Sequence, residues 1–505
     1  MPEISVAKAI DEMPEAFVSD TTISREVSRA VKAGRLRKLA SRLYTRNLTD
    51  PSEAVVGRNL WTIVAGYFPG ALIADRTALE NAPADDGSVC LVSRTGRDIK
   101  LPGYTLRPRR GVAPLATDRP FIAGLFLSST ARAYLENMRP SRTRSGLIGR
   151  TLPRKEIEER LDTLIRRSGE DVANRLRDEI RTVRRALDME EGAADLDALI
   201  GSLLGTREAE LTAPAAIARQ AGRPFDPDRM ALFQTLHAAL RDHPPLARIA
   251  PDRGPEGNAT LAFYEAYFSN FIEGTEFAVE EAANIVFRGV IPNERPQDAH
   301  DVLGTWRIVS DAGEMGRTPG NREDLTRLIK ARHAAIMESR PDKGPGIFKL
   351  AENRAGSTVF VAPDLVAGTL EQGFTLCRSL EAPFQRAVFI MFLVSEVHPF
   401  ADGNGRTARV MMNAELVAAG EERIVIPTVY RTNHLSALKA LSQSGRPEPL
   451  IRMLDYAQRW TAAVDWRSVA ETRRELEDCN AFIDAAVAEE EGRRLRMPGG
   501  MERGS

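Results

Sequence analysis

The sequence predicts a mostly α-helical, multidomain protein, and three observations carry that reading. The chain has 505 residues, more than one ordinary core organises, so two to four domains are expected. From 258 to about 465 it runs as successive amphipathic helices with short loops. The one break is STVFVAP at 357–363, a β-rich run between Gly356 and Pro363. Ahead of this, residues 1–50 read as helix and then strand. Residues 51–135 mix apolar runs with the turn signals FPG at 68–70, DDG at 85–87 and LPG at 101–103, the pattern of a small α/β subdomain. Residues 136–255 are rich in Arg, Glu, Leu and Ala, with mixed-sign charge at helical spacing over 154–187, and read as a helical linker region. PDRGPEG at 251–257 marks a linker, and EEEGRRLRMPGGMERGS at the end reads as a disordered tail. The expected divisions are 1–50, 51–135, 136–255, 256–320, 321–465 and 466–505.

Composition narrows the function classes. Lys and Arg number 69 against 70 Asp and Glu, so overall charge selects no partner and any basic patch is local. Cys90, Cys377 and Cys479 are far apart and form no C-x-x-C, which predicts reduced thiols, no structural zinc and a cytoplasmic setting. MPEISVAKAIDEM at the N-terminus carries acids where a secretory signal has a basic end. AVFIMFLV at 387–394 is eight residues, whereas a membrane span takes roughly 20. It predicts a helix buried on most sides, and no membrane association is expected.

The chemistry concentrates in HPFADGNGRTAR at 398–409. Gly403-Asn404-Gly405 can adopt the positive φ angles that turn successive backbone N–H groups inward, forming a nest for anionic oxygens. RTARVMMNAELVAA follows as an apolar-periodic helix, so the nest sits at a helix N-terminus that also favours phosphate. Arg406 and Arg409 share one helix face and suit bidentate phosphate contacts. Asp402 is a carboxylate for Mg²⁺, which binds one or two carboxylates plus substrate phosphates. His398 is a base for an attacking hydroxyl. These groups together describe a phosphate-transfer site.

The segment resembles the Fic family motif HPF-x-(D/E)-GNG-R-x-x-R at every defined position. The resemblance extends to EVHPF at the end of the preceding helix and to IPTVYRTNHLSALKALSQSG at 426–445, although the family usually has an aromatic near Asn433. It implies an all-helical core with a β-hairpin flap that transfers AMP from ATP to a Ser, Thr or Tyr hydroxyl of a target protein, the chain itself included. His398 would be the general base and Asp402 would hold Mg²⁺ between phosphates. The backbone at Gly403, Asn404 and Gly405 would cradle phosphate oxygens with support from Arg406, and Arg409 would grip the γ-phosphate. Thr358, Val359 and Phe360 would belong to the flap, pairing with target backbone.

SNFIEG at 269–274 resembles the inhibitory motif (S/T)-x-x-x-E-(G/N) of the self-inhibited Fic class, with Ser269, Glu273 and Gly274 at its defined positions. Glu273 would pair with Arg409 and deny it to the γ-phosphate, while Ser269 caps or steadies the helix. In some relatives the equivalent carboxylate positions a water that removes AMP, so removal by the same site stands beside transfer.

Residues 22–46 carry eight basic residues and one acid, Glu26. Ser24, Arg25, Ser28 and Arg29 form the polar side of a helix ended by Gly34, with Ile23, Val27 and Val31 opposite. RLRKLASRLYTR, with Arg35, Arg37, Lys38 and Arg42, reads as a two-stranded wing. The stretch resembles the winged helix of AbiEi-type antitoxin and regulator proteins, which implies DNA contacts through these residues and a homodimer on DNA. A DNA-binding regulator with a nucleotide-sensing core is the reading from another class.

Overall fold

The computed structural model describes residues 13–141, 143, 146–243, 247–356 and 358–500. Mostly helical as expected, the chain divides at Gly222/Arg223 into two compact units.

The N-terminal unit opens with strand β1 (Ala16–Val18), helix α1 (Ser24–Lys32) and the strands β2 (Arg37–Ala40) and β3 (Leu43–Thr45). The three strands form an antiparallel sheet in the order β1-β3-β2. Val27 and Ala30 of α1 are buried with Phe17 and Leu36. Gly34, at φ +69°, ends the helix, its N–H donating to the Val31 carbonyl and that of Arg35 to the Ala30 carbonyl. Helices α2 (Ser52–Arg58), α3 (Leu60–Tyr67), α4 (Asp75–Glu80) and α5 (Thr130–Asn137) accompany β4 (Leu72–Ile73), β5 (Ser88–Val92), β6 (Ile99–Leu101), β7 (Tyr104–Arg109), β8 (Arg119–Pro120) and β9 (Phe126–Leu127). These strands form one mixed sheet, β6-β7-β5-β4-β9-β8, with β5 and β7 parallel and β4 and β9 parallel.

Helices α6 (Arg154–Ser168), α7 (Glu170–Val183), α8 (Glu190–Leu203) and α9 (Pro214–Gln220) follow. They do not form a spacer. Leu161, Ile180 and Leu196 share one apolar cluster with Tyr134 and Leu135 of α5, so the charged sequence is the outer face of a packed bundle.

The C-terminal unit contains α10 (Pro227–Asp242), α11 (Gly254–Ile272), α12 (Val279–Arg288), α13 (Pro296–Val309), α14 (Ala312–Met315) and α15 (Arg322–Ile336). A two-stranded hairpin follows, β10 (Arg354–Ala355) with β11 (Thr358–Val359). Then come α16 (Val366–Arg378), α17 (Pro383–Val397), α18 (Asn404–Ala418), α19 (Arg431–Ser444), α20 (Glu448–Ala463), α21 (Val469–Asp478) and α22 (Ala485–Glu490). In α17 only Pro383, Arg386 and Ser395 escape burial. Each large side chain that it buries contributes about 1.5–3 kcal/mol, so α17 is the rigid axis at whose C-terminal end the site is built. The apolar run at 387–394 is thus a central helix; no helix among the described residues is long and apolar enough to cross a membrane.

Two sequence expectations are corrected. PDRGPEG at 251–257 is no linker: Gly254 to Gly257 form the first turn of α11, with Pro255 in the position where its missing N–H costs nothing. The tail packs as far as it is described. Leu495 is buried, the Arg496 carbonyl accepts from Trp460 Nε1 at 3.1 Å, and the Arg494 carbonyl accepts from Asn480 Nδ2 at 2.7 Å. Residues 501–505 of that expected tail, and 1–12 of the expected winged helix, lie outside the described residues.

Candidate active site

His398 closes α17 in the left-handed conformation, φ +52° and ψ +60°. The strained backbone turns the chain sharply and points the imidazole out of the helix end. Its Nδ1 lies 3.2 Å from the Ser395 carbonyl. A carbonyl only accepts, so Nδ1 carries the hydrogen and Nε2 keeps a free lone pair. Burial pushes the imidazole from 6.5 down to about 4; the Ser395 bond opposes this and the Lys349 charge reinforces it. His398 is therefore neutral at physiological pH.

The loop after it is held by groups the motif does not advertise. The Asn404 side chain accepts from Phe400 N at 2.9 Å and donates to the Phe400 carbonyl at 2.8 Å, closing the turn like a piece of backbone. His333 of α15 stacks flat on Phe400, ring centres 3.6 Å apart. Its Nδ1 accepts from Gly346 N at 2.9 Å, so its Nε2 donates to the Asp402 carbonyl at 3.0 Å. Gly403, at φ +73°, leads into α18, and a Cβ there would lie 2.7 Å from Met337 Sδ. Glycine is required both for conformation and for space. Of the three residues expected to take positive φ angles only Gly403 does; Asn404 and Gly405 are the first helical residues of α18, whose leading amides have no intrahelical partner, an arrangement that favours an anion.

The Asp402 carboxylate is 44% exposed. Its Oδ1 accepts from Gly403 N at 2.6 Å, and Oδ2 has no partner among the described residues. No group of three or more His, Cys, Asp or Glu that could hold a metal occurs among the described residues. A cation at Asp402 would take its remaining ligands from phosphate oxygens and water, as Mg²⁺ does.

The two arginines diverge. Arg406 is buried and pairs with Asp301 of α13 at 2.8 Å, its Nη1 also 3.4 Å from Asn270 Oδ1. It braces α18 against α13 from beneath the helix start. Arg409 reaches α11: Nε donates to Ser269 Oγ at 2.9 Å, and Nη2 donates to the Ser269 carbonyl at 2.8 Å and to Glu273 Oε1 at 2.7 Å. Ser269 therefore holds Arg409 and does not cap its helix. A Cβ at Gly405 would lie 2.1 Å from Glu273 Oε1, so this carboxylate sits directly over the start of α18. Gly274, at φ +90°, turns the chain away behind it.

The hairpin and the residue after it reach the same centre. Phe360 stacks on His398 at 3.8 Å and 6°. Gln443 Nε2 donates to Thr358 Oγ1 at 3.1 Å, and Arg229 of α10 donates to the Val359 carbonyl while pairing with Glu396 at 2.8 Å. Lys349 is buried; its ammonium donates to Asn353 Oδ1 at 2.7 Å, and burial lowers it to about 8. Near Asn433, where the resemblance calls for an aromatic, α19 presents exposed Asn433 and Leu435 beside the buried His434. Sequence reasoning missed His333, Lys349, Arg229 and Asp301. They come from separate helices and loops; the one available signal was the helical spacing that puts His333 on the face of Ile329 and Ile336.

At the other end of the chain, Ser24, Arg25, Ser28 and Arg29 are exposed on α1, as are Arg35, Lys38 and Arg42. Arg37 departs from that set: it is half-buried and its Nη2 donates to the Asp50 carbonyl at 2.6 Å.

Two buried imidazoles and the half-buried His398 make stability depend on acid. His333, His398 and His434 are lowered from 6.5 to about 4, about 4 and about 3, each chiefly by burial. A folded-state value below the unfolded one means the unfolded chain binds more protons, so stability present above about 6.5 is lost as pH falls toward 4. For His333 the shift amounts to about 3 kcal/mol. Urea midpoints should drop between pH of about 7 and about 4.5, and part of the drop should vanish in His333→Asn. Equal midpoints for the wild type would reject the assignment.

The Fic/DOC family model matches residues 324–416. A protein adenylyltransferase Fic of Drosophila grimshawi is 36% identical over 210 residues, covering 39% of this chain and 43% of that protein. Protein adenylyltransferase fic-1 of Caenorhabditis briggsae is 23% identical over 195 residues, covering 38% of each. The chain thus spans less than half the length of these curated relatives. Among solved structures, a Fic domain containing signaling protein from Bacteroides thetaiotaomicron is 17% identical, with a TM-score of 0.36, covering 48% of this chain and 97% of that one. The Fic/DOC match takes in the helices and the loop that carry His398 through Arg409.

Proposed function

We propose that the C-terminal unit is a protein adenylyltransferase that restrains itself through Glu273. The observation that carries this reading is the meeting of a neutral His398, an open Asp402 carboxylate and the leading amides of one helix N-terminus, with Arg409 held by Glu273. The leading amides of α18 and Arg409 would take the phosphates of ATP. Mg²⁺ at Asp402 would neutralise charge on the departing phosphates. His398 Nε2 would take the proton from a Ser, Thr or Tyr hydroxyl; that oxygen bonds to the α-phosphorus, and its bond to the bridging oxygen breaks to release pyrophosphate. The flap would pair with backbone of the target, or of a second copy of this chain, beside His398.

The test uses ATP labelled at the α-phosphorus, with Mg²⁺, in a lysate. It compares wild type, Glu273→Gly and Glu273→Gly/His398→Ala. Absence of protein-bound label in every lane would overturn transfer and favour removal of AMP by the same site, or nucleotide sensing.

A second reading concerns the N-terminal unit. The exposed Ser24, Arg25, Ser28 and Arg29 on α1, followed by the hairpin with Lys38 and Arg42, support a winged-helix DNA contact. Binding to DNA upstream of its own gene should weaken steeply with salt, and Arg25→Ala/Arg29→Ala should weaken it about tenfold or more. Retardation of that DNA by the variant equal to the wild type's would remove α1 from the interface.

A further inference from the structure

The N-terminal unit holds a cavity of about 320 Å³ that the proposed AMP chemistry does not use, lined by Asp75, Arg109, Arg110, Glu136, Arg139 and Arg150 among others. Four guanidinium groups meet two carboxylates there, and both carboxylates are committed. Asp75 is 2% exposed and accepts from Arg109 Nε at 3.0 Å, Arg109 Nη2 at 2.8 Å and Arg150 Nη1 at 3.2 Å. Glu136 is 5% exposed and takes Arg132 Nε and Arg109 Nη2, each at 3.0 Å. Arg110 and Arg139 are the surplus positive charge. Arg110 is exposed and has no acidic partner among the described residues. Arg139 spends one nitrogen on the Leu187 and Asp188 carbonyls.

Two further features single out this wall. Asp75 adopts φ +54° without being glycine, a conformation that persists only where its surroundings enforce it and that concentrates at ligand sites. Gly111 lies so close to Arg109 that a Cβ would sit 2.5 Å from its Nη1. The Val112 and Ala113 carbonyls accept from Arg132 at 2.7 and 3.1 Å, whereas the amides of Arg110, Gly111 and Val112 donate to no described residue. Oriented guanidinium groups beside unpaired amides make an anion receptor, bidentate toward phosphate oxygens.

We propose that this cavity binds a small phosphate-bearing anion, of the size of pyrophosphate or a nucleoside monophosphate. Its volume is at the lower end for small-ligand sites, roughly 300 Å³ and upward. The Arg109 and Arg150 side chains are 26% and 17% exposed, recessed from the backbone of a nucleic-acid duplex. This proposal stands independently of the AMP-transfer reading.

Calorimetric titration of the full chain with pyrophosphate, and separately with AMP, tests it on an Arg409→Ala background that weakens the other phosphate site, and sensitivity to Arg110→Ala assigns the binding to this cavity. Saturable binding of one probe below about 10 mM is expected, weakened about tenfold by adding Arg110→Ala and Arg139→Ala. Because Arg139 also ties down two carbonyls, Arg110→Ala alone, at an exposed position, is the variant that leaves folding intact, and should weaken binding about threefold. The tighter probe identifies the inorganic or the nucleotide source. No saturable binding of either probe on the Arg409→Ala background, or binding unaffected by Arg110→Ala and by the double change, overturns the proposal.

Discussion

Glu273→Gly is expected to raise AMP incorporation by about 10- to 100-fold. In the resting arrangement Glu273 Oε1 accepts from Arg409 Nη2 at 2.7 Å and lies over Gly405, so one carboxylate takes both the cation and the space that a terminal phosphate would need. A hydrogen bond to a charged group contributes about 1.5–3 kcal/mol. That leaves Arg409 free in roughly 1–10% of molecules, and apparent affinity for correctly posed ATP falls by the same fraction. Glycine removes the competitor without orphaning the cation, because Ser269 Oγ and the Ser269 carbonyl still receive Arg409. The variant should therefore keep its thermal midpoint near that of the wild type. Label incorporation at the wild-type rate in a folded Glu273→Gly protein would end the restraint hypothesis.

His398→Ala, placed on the Glu273→Gly background, is expected to lower transfer by about 10²- to 10⁴-fold, the range spanned by a positioned general base. ATP binding should stay within about twofold, since the leading amides of α18 and Arg409 supply the phosphate contacts. Because burial holds His398 near 4, the rate should be insensitive to pH between about 6 and 8, with its acid limb below the ordinary histidine range. Unchanged transfer in the double variant would remove His398 from the role of base. Unchanged pH dependence alone would not, because a water could relay the proton.

The legible part of this protein was local. HPFADGNGRTAR could be read because its backbone conformations, helix start and charges all lie within one turn and the helix it begins, so spacing along the chain equals spacing in space. The hairpin was legible only in part: the β-rich run between Gly356 and Pro363 supplies β11 (Thr358–Val359), whereas its partner β10 (Arg354–Ala355) precedes Gly356. The boundary signal failed at 251–257 because Pro and Gly serve a helix N-terminus as readily as a linker. The tail failed as a disorder signal because Leu495, with Met497 packed on the same cluster, supplies enough apolar surface among charged neighbours to anchor it.

By itself the sequence determined a mostly helical chain and a helix start just after Asp402, with His398 close before it. Only the tertiary structure decided which groups meet. It brought Glu273 to Arg409 across 136 positions, turned Arg406 away to Asp301, set His333 under the loop and laid Phe360 on His398. The physical reason is that these contacts depend on how helices cross, which follows from the packing of whole apolar faces, whereas a helix start depends only on the φ and ψ angles of consecutive residues.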